Sequence, residues 1–194
     1  MPRPRSRHFS LLGVVIVLAL AVESYGGVLN AKGLNNSIAY NLFNILESLL
    51  FLLIVHAIQP RLKVLLIVAA GMIAAAYFLD LSKGRSSPTL LHDAIVFAAM
   101  LQAIFCMAVL WHLAQSTQAP LVRVPEFWLF LGLLIYFAGI VPVIGFQRFI
   151  YLRDWPTASR LYKIVPALCI TRYLLAAYAC NIAGRRSGMP GVDR

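Results

Sequence analysis

The sequence predicts an all-α integral membrane protein, a polytopic bundle of about six transmembrane helices, from three observations. Hydrophobic residues make up 61% of the 194 residues and charged residues only 12%, which lies outside the range of soluble domains. The apolar residues form six runs, each near the 20 residues that a helix needs to cross about 30 Å of hydrocarbon. None of the runs alternates as a barrel strand does. Because a backbone in lipid must satisfy its own polar groups, each run is expected to be a helix.

Short polar connections separate the six runs, which favours antiparallel neighbours and a single domain over residues 1–194. In the last connection, Asp154 or Thr157 is expected to cap the sixth helix, with Pro156 in its first turn. The polar, glycine-containing end of the chain predicts a mobile tail over 184–194. The predicted helices lie at 9–29, 38–57, 64–81, 90–112, 125–147 and 159–181.

The first helix allows a second interpretation. Three arginines precede it, and the small residues around Leu20 match the cleavage site of a signal peptide. However, the apolar run continues to Leu29, which is longer than a typical signal-peptide core and favours a retained helix. Retention and cleavage both stay open at this point.

The distribution of basic residues predicts the orientation. With a cytoplasmic N-terminus, the cytoplasmic stretches hold nine Lys and Arg residues and the outer loops hold seven, which weakly favours this orientation in a multi-pass protein of the cell membrane. The basic stretch 148–163 opposes it, and either interfacial anchoring or an anionic ligand or lipid headgroup would explain that stretch. The net charge of +10 is dispersed over both sides, so nucleic-acid binding is not expected.

Two charged residues fall near the middle of predicted helices. Glu47 lies close to the midpoint of the second helix and Arg172 close to the midpoint of the sixth. A charge at this depth costs at least a few kcal/mol unless it has a partner. The two residues therefore predict a buried ion pair, which would either fix the register of two neighbouring helices or form part of a binding site.

Other polar residues follow helical spacing around these charges. Asn41, Asn44 and Ser48 share a face with Glu47, while Tyr162, Cys169 and Tyr173 accompany Arg172. Facing stripes of this kind predict either a small wet cavity that binds a ligand or ordinary interhelical hydrogen bonds.

A second polar cluster is predicted in the outer third of the bundle. It contains Glu23, Asp80, His92 and Asp93. Carboxylates and an imidazole at one depth can bind a divalent metal or relay protons. The spacing of metalloprotease-type ligands does not occur, and Asp93 also suits a helix N-terminus. The sequence therefore predicts no metal site and no cofactor.

The last two predicted helices carry a family resemblance. The residues are the stretch from Pro125 to Trp128, Gly132, the stretch from Leu134 to Phe137, Gly139, the pair Leu161-Tyr162 and the stretch from Arg172 to Leu175. This pattern resembles small bacterial membrane proteins and the multi-span sensor portions of some histidine kinases. The resemblance implies a sensory role in a bacterial inner membrane. The histidine box and the ATP-binding domain of a kinase do not occur in these residues.

Two functions follow as hypotheses. The chain is expected to be a sensory or regulatory membrane module that binds a small ligand from the outer side and acts on a protein partner in signal transduction. The alternative is a transporter or channel for a small solute or ion with a polar site at the midplane. A conducting protein needs a polar route from both faces, and the cytoplasmic halves of the helices are nearly all apolar. No nucleophile, base or metal constellation predicts an enzyme.

Overall fold

The computed structural model describes residues 7–83, 90–151 and 153–187. Side chains are described for all of these except 147–149, 151, 155, 158, 159, 162, 186 and 187. Within these ranges the chain is helical without strands, and six helices are long and apolar enough to cross a membrane, which confirms the predicted all-α polytopic bundle. The helices are α1 (Arg7–Ala31), α2 (Ser37–Ile58), α3 (Lys63–Ser82), α4 (His92–Ser116), α5 (Pro125–Tyr151), α6 (Trp155–Tyr162) and α7 (Ile164–Ser187).

The predicted sixth helix is two helices. The short α6 ends at Tyr162, and α7 begins after a turn at Lys163. Pro166 has no N–H to donate to the carbonyl of Tyr162, so one backbone hydrogen bond is missing at the place where α6 ends. Asp154 is the N-cap, as predicted, but it caps α6, where its side chain accepts hydrogen bonds from the backbone N–H of Thr157 at 3.4 Å and from the Thr157 hydroxyl.

Other helices end at residues different from those predicted. The fourth and fifth helices extend to Ser116 and Tyr151, beyond the predicted ends at 112 and 147. Residues 184–187 of the predicted tail continue α7, and the mobility of the tail stays a prediction. Residues 188–194 of that tail lie outside the described residues.

The chain divides into two compact units at Ala98. The described part of the N-terminal unit covers 7–83 and 90–98, that is, α1, α2, α3 and the first turns of α4. The described part of the C-terminal unit covers 99–187 apart from 152, that is, the rest of α4 with α5, α6 and α7. The single-domain organisation stays a prediction.

In the N-terminal unit, α1 and α2 form an antiparallel hairpin. Gly33 follows the end of α1 with a φ of 68°, a left-handed conformation that glycine adopts without a steric penalty. Its N–H bonds the carbonyl of Asn30 at 3.0 Å, and the N–H of Leu34 bonds the carbonyl of Leu29 at 2.9 Å. This pair of bonds is a Schellman cap, which turns the chain so that α2 packs back along α1.

The contact between α1 and α2 depends on a glycine. A Cβ atom placed on Gly26 would lie 2.8 Å from the hydroxyl oxygen of Tyr40 and 2.9 Å from its ring. The same hydroxyl donates a hydrogen bond to Glu23 at 3.1 Å. Gly26 therefore makes room for the tyrosine that joins the two helices.

We expect Gly26→Ala to destabilise the hairpin by about 1–2 kcal/mol, because the ring of Tyr40 must move and its hydrogen bond to Glu23 lengthens. Gly27→Ala is the matched control, since a methyl group at that position would meet nothing within 4 Å, and alanine improves helix propensity. Thermal unfolding in nanodiscs measures both variants. Equal melting temperatures for the two would show that the contact with Tyr40 does not contribute to stability.

In the C-terminal unit, α5 and α7 pack closely through two glycines of α5. A Cβ atom on Gly132 would lie 3.0 Å from Cβ of Leu175, and one on Gly139 would lie 2.7 Å from the side chain of Leu168. A step of seven residues forward on α5 thus corresponds to a step of seven back on α7, so the two helices are antiparallel. Small residues allow helix backbones to approach in this way within membranes.

Candidate functional site

Polar side chains of the N-terminal unit form a continuous group from the middle of α2 to the start of α4. We call this group the polar track. α2 contributes buried polar residues of its first half. α3 contributes residues spaced three apart, which are neighbours on one helical face. α4 contributes its first turn. The residues of the polar track are Asn41, Glu47, Ser48, Tyr77, Asp80, Lys83 and Asp93.

The inner end of the polar track is buried. Glu47 is 5% exposed and Ser48 3%, and Tyr77 of α3 lies beside Ser48 and within electrostatic range of Glu47. The buried hydroxyl oxygen of Tyr77 makes no well-formed hydrogen bond to any described residue. The hydroxyl of Ser48 lies beside it and donates its own hydrogen bond to the carbonyl of Asn44 at 2.8 Å. A buried hydroxyl without a partner costs about 1–3 kcal/mol, so this atom is ready to bond a further group.

The middle of the polar track caps α4. The side-chain oxygen of Asn41 accepts a hydrogen bond from the backbone N–H of Leu91 at 3.0 Å. The buried carboxylate of Asp80 accepts one from the N–H of Ala94 at 3.3 Å. The first N–H groups of a helix have no partner within the helix, and here two other helices provide the acceptors.

The outer end of the polar track is accessible to solvent. The ammonium of Lys83 lies 3.2 Å from Asp80 and also pairs with Asp93. The side chains of Lys83 and Asp93 are 47% and 43% exposed, while that of Asp80 is 1% exposed. The hydrogen bond to Asp93, followed by that to Asp80, raises the pKa of Lys83 above its usual 10.5.

This raised pKa predicts how stability depends on pH. A lysine whose pKa is higher in the folded than in the unfolded protein stabilises the fold fully below its usual pKa of 10.5, and loses this effect as the pH rises through the folded value. We therefore expect the wild type to melt slightly above Lys83→Met at pH 7–9, and the difference to disappear at more alkaline pH. The size is small, because the group is exposed. Melting curves of both proteins from pH 7 to 12 measure this, and a difference that grew with pH would contradict it.

The structure divides the predicted outer cluster. Lys83 joins Asp80 to Asp93. His92 instead places its Nδ1 2.8 Å from the carbonyl of Leu90, and Glu23 is exposed and accepts the hydroxyl of Tyr40. Among the described residues, no group of three or more His, Cys, Asp or Glu could hold a metal ion.

In the C-terminal unit, Arg172 contacts two aromatic rings. Its guanidinium carbon lies 4.1 Å from the ring centre of Tyr136 on α5 and 4.9 Å from that of Tyr173. It also donates a hydrogen bond to the Tyr173 hydroxyl at 3.2 Å. The residue is only 4% exposed, so these cation–π contacts act in a desolvated place, where each is worth about 2 kcal/mol.

The polar residues predicted around Glu47 and those predicted around Arg172 make different contacts. Asn41 is a cap for α4, and Asn44 offers its backbone carbonyl to Ser48. Tyr173 contacts Arg172, whereas the side chain of Tyr162 lies outside the described residues. Glu47 belongs to the N-terminal unit and Arg172 to the C-terminal unit, and their ion pair stays a prediction.

Sequence reasoning missed three residues of these sites. Tyr77 and Lys83 lie three residues on either side of Asp80, a spacing that places them on one helical face. Tyr136 lies near the middle of α5, where a tyrosine needs a partner for its polar end. The spacing from Asp80 could have indicated Tyr77 and Lys83. The contact of Tyr136 could not be predicted, because it depends on how α5 and α7 are rotated about their axes.

Comparisons with protein-family models, with curated proteins and with solved structures find no match for this chain. The resemblance to bacterial membrane proteins and to sensor portions of histidine kinases therefore stays a prediction from the residues. The class of protein that the fold defines is a multi-pass helical membrane protein.

Proposed function

We propose that the chain is a sensory or regulatory module that binds a small ligand through the polar track and acts through a partner protein. The observation that carries the proposal is the course of the polar track, which starts at the accessible Lys83 and Asp93, passes the buried Asp80 and reaches Tyr77 and Glu47. Polar and ionisable groups within membrane helices are costly, and for this reason they commonly mark a functional site.

The polar track opens toward one side. Beyond Ser48, the buried residues of α2 are all apolar, and those of α3 before Tyr77 are apolar as well. The next titratable residue of α2 is the half-buried His56, eight residues or about 12 Å further along the helix. A site that is polar from one face and closed by apolar packing at the other suits a receptor. The apolar residues are Phe51, Leu52, Ile54, Val55, Leu66, Ala69 and Ile73.

The charges of the polar track favour a particular ligand. It contains three carboxylates, on Glu47, Asp80 and Asp93, and one ammonium, on Lys83. Carboxylates only accept hydrogen bonds, and a tyrosine hydroxyl can both accept and donate. The ligand is therefore a small molecule that carries hydrogen-bond donors or a positive charge.

The remaining parts of the proposal have separate support. The distribution of Lys and Arg supports a cytoplasmic N-terminus, and with this orientation the open end of the polar track faces the outside of the cell membrane. The signalling partner and the bacterial inner membrane follow from the resemblance to sensor portions of kinases. The alternative, a transporter or channel, is favoured by the mid-helix position of Glu47 and opposed by the apolar packing beyond it.

Accessibility of introduced cysteines tests the proposal. In a background where Cys106, Cys169 and Cys180 are replaced by serine, we expect Ser48→Cys to react with a cationic, membrane-impermeant methanethiosulfonate added from outside. Leu52→Cys, one turn further along α2, is the matched control and is expected to stay unreactive from both sides. Sealed vesicles of the two orientations, with labelling measured by mass spectrometry, distinguish the faces.

The outcomes separate the hypotheses. Labelling of Ser48→Cys from the outer face alone supports a receptor-like site. Labelling from both faces, together with reaction of Leu52→Cys, supports the transporter. Absence of labelling at Ser48→Cys from either face would contradict both, and would leave the polar track with the role of joining α2, α3 and α4.

A further inference from the structure

α6 differs from the other α-helices in length and chemistry. Its eight residues extend about 12 Å, too short to cross a bilayer. The preceding α5 has 27 residues and is about 40 Å long, which exceeds about 30 Å of hydrocarbon. The apolar span of α5 covers Pro125–Phe146, so the end of α5 and the whole of α6 are expected at the level of the lipid headgroups.

The surface around α6 is basic and exposed. Arg153 precedes the N-cap Asp154, Arg160 lies in the last turn of α6 and Lys163 follows its end, and all three are exposed. Arg160 and Lys163 are three residues apart and share one side of the helix, and Arg153 adds a third exposed cation on the N-terminal side of the cap. Among the described α-helices, α6 has the strongest amphipathic pattern.

The one acidic residue of this segment does not offset these charges at the surface. Asp154 is the N-cap of α6, and both of its carboxylate oxygens accept hydrogen bonds from Thr157. A carboxylate at this place interacts with the positive end of the helix dipole. The exposed cations are therefore available to an anion outside the chain.

We propose that Arg153, Arg160 and Lys163 form a docking surface for the headgroups of anionic phospholipids. Amphipathic helices with a basic side lie in the interface of membranes and prefer anionic lipids, and arginine binds phosphate with a bidentate geometry. The position of α6 beside the headgroups selects lipid phosphate as the occupant. This proposal is independent of the polar track, since it concerns only residues of the C-terminal unit.

Native mass spectrometry of the full chain tests the proposal with phosphatidylglycerol and phosphatidylcholine as probes. We expect tighter binding of phosphatidylglycerol, and a loss of about fivefold in its affinity for each basic residue removed, from the attraction of one cation to an anionic membrane surface. The triple variant Arg153→Gln/Arg160→Gln/Lys163→Gln is expected to bind both lipids alike. Raising the salt concentration should reduce the preference of the wild type.

A matched control removes the same charge elsewhere. Arg61, Lys63 and Arg123 are also exposed, and their replacement by glutamine is expected to preserve most of the preference for phosphatidylglycerol. Equal losses in the two triple variants would overturn the proposal, because general electrostatics would then explain the binding. Displacement of the lipid by millimolar glycerol phosphate would overturn it as well, in favour of a free phosphate ligand. If the triple variant does not fold, the single variant Arg160→Gln tests the fivefold loss on its own.

Discussion

Replacement of Asp80 by alanine is expected to destabilise the protein by about 2 kcal/mol. The Asp80 residue is 2% exposed and its carboxylate accepts the N–H of Ala94, and loss of a side-chain cap at a helix N-terminus costs about 0.5–2 kcal/mol. The substitution also removes the buried partner of Lys83 and leaves a small cavity. Thermal unfolding in nanodiscs measures the loss, and hydrogen exchange at Ala94 is expected to accelerate.

Asp80→Asn is the control for this prediction. Its side-chain oxygen can still accept the N–H of Ala94, while the charge opposite Lys83 disappears. We expect a smaller loss of stability than in Asp80→Ala, with hydrogen exchange at Ala94 close to that of the wild type. If the two variants were equally unstable, the charge of Asp80 and not the cap of α4 would be the main contribution.

Replacement of Gly132 by leucine is expected to have the largest effect in the C-terminal unit, about 3 kcal/mol. The new Cβ atom would lie 3.0 Å from Cβ of Leu175 and 3.4 Å from the backbone oxygen of Arg172. Both of these atoms are fixed to the α7 backbone, so the helices must separate, and overpacking costs about 1–3 kcal/mol or more. The separation also moves Arg172 away from the ring of Tyr136, which weakens a desolvated cation–π contact.

Gly145→Leu provides the comparison on the same helix, because a Cβ atom at that position would meet nothing within 4 Å. Its melting temperature is expected to stay near that of the wild type. A melting temperature of Gly132→Leu equal to that of Gly145→Leu would show that α5 and α7 do not require the close approach at Gly132.

Most of the fold could be predicted from the sequence, because the bilayer imposes a simple requirement. Each crossing needs a run of apolar residues and an internally bonded backbone, so the positions of the apolar runs located the six spans of the described residues. The helix cap at Asp154 could also be predicted from the sequence. The break at Lys163 could not, because Pro166 indicates a distortion of the helix but not whether the helix bends or ends there.

The candidate sites were harder to predict for a physical reason. A helix in lipid is apolar on its outer face as well as its inner face, and α1, α4 and α7 accordingly show almost no amphipathic pattern. The rotation of each helix, and therefore the partners of its polar residues, is not encoded in hydropathy. Asp80 and Asp93 were expected together because of their similar depth, whereas Tyr77 lies in an apolar run where tyrosine is unremarkable in sequence.

The acceptors that begin α4 have a consequence for biogenesis. Asn41 and Asp80 precede Leu91 and Ala94 in the chain, so they leave the ribosome first. We therefore expect that the unbonded amides of the fourth segment meet acceptors already present on earlier segments as it enters the membrane. Its insertion would then be coupled to prior assembly of the second and third segments. A nascent chain that carries Asn41→Leu and Asp80→Leu would then be expected to insert its fourth segment less efficiently in a translocation assay, although that segment itself is unchanged.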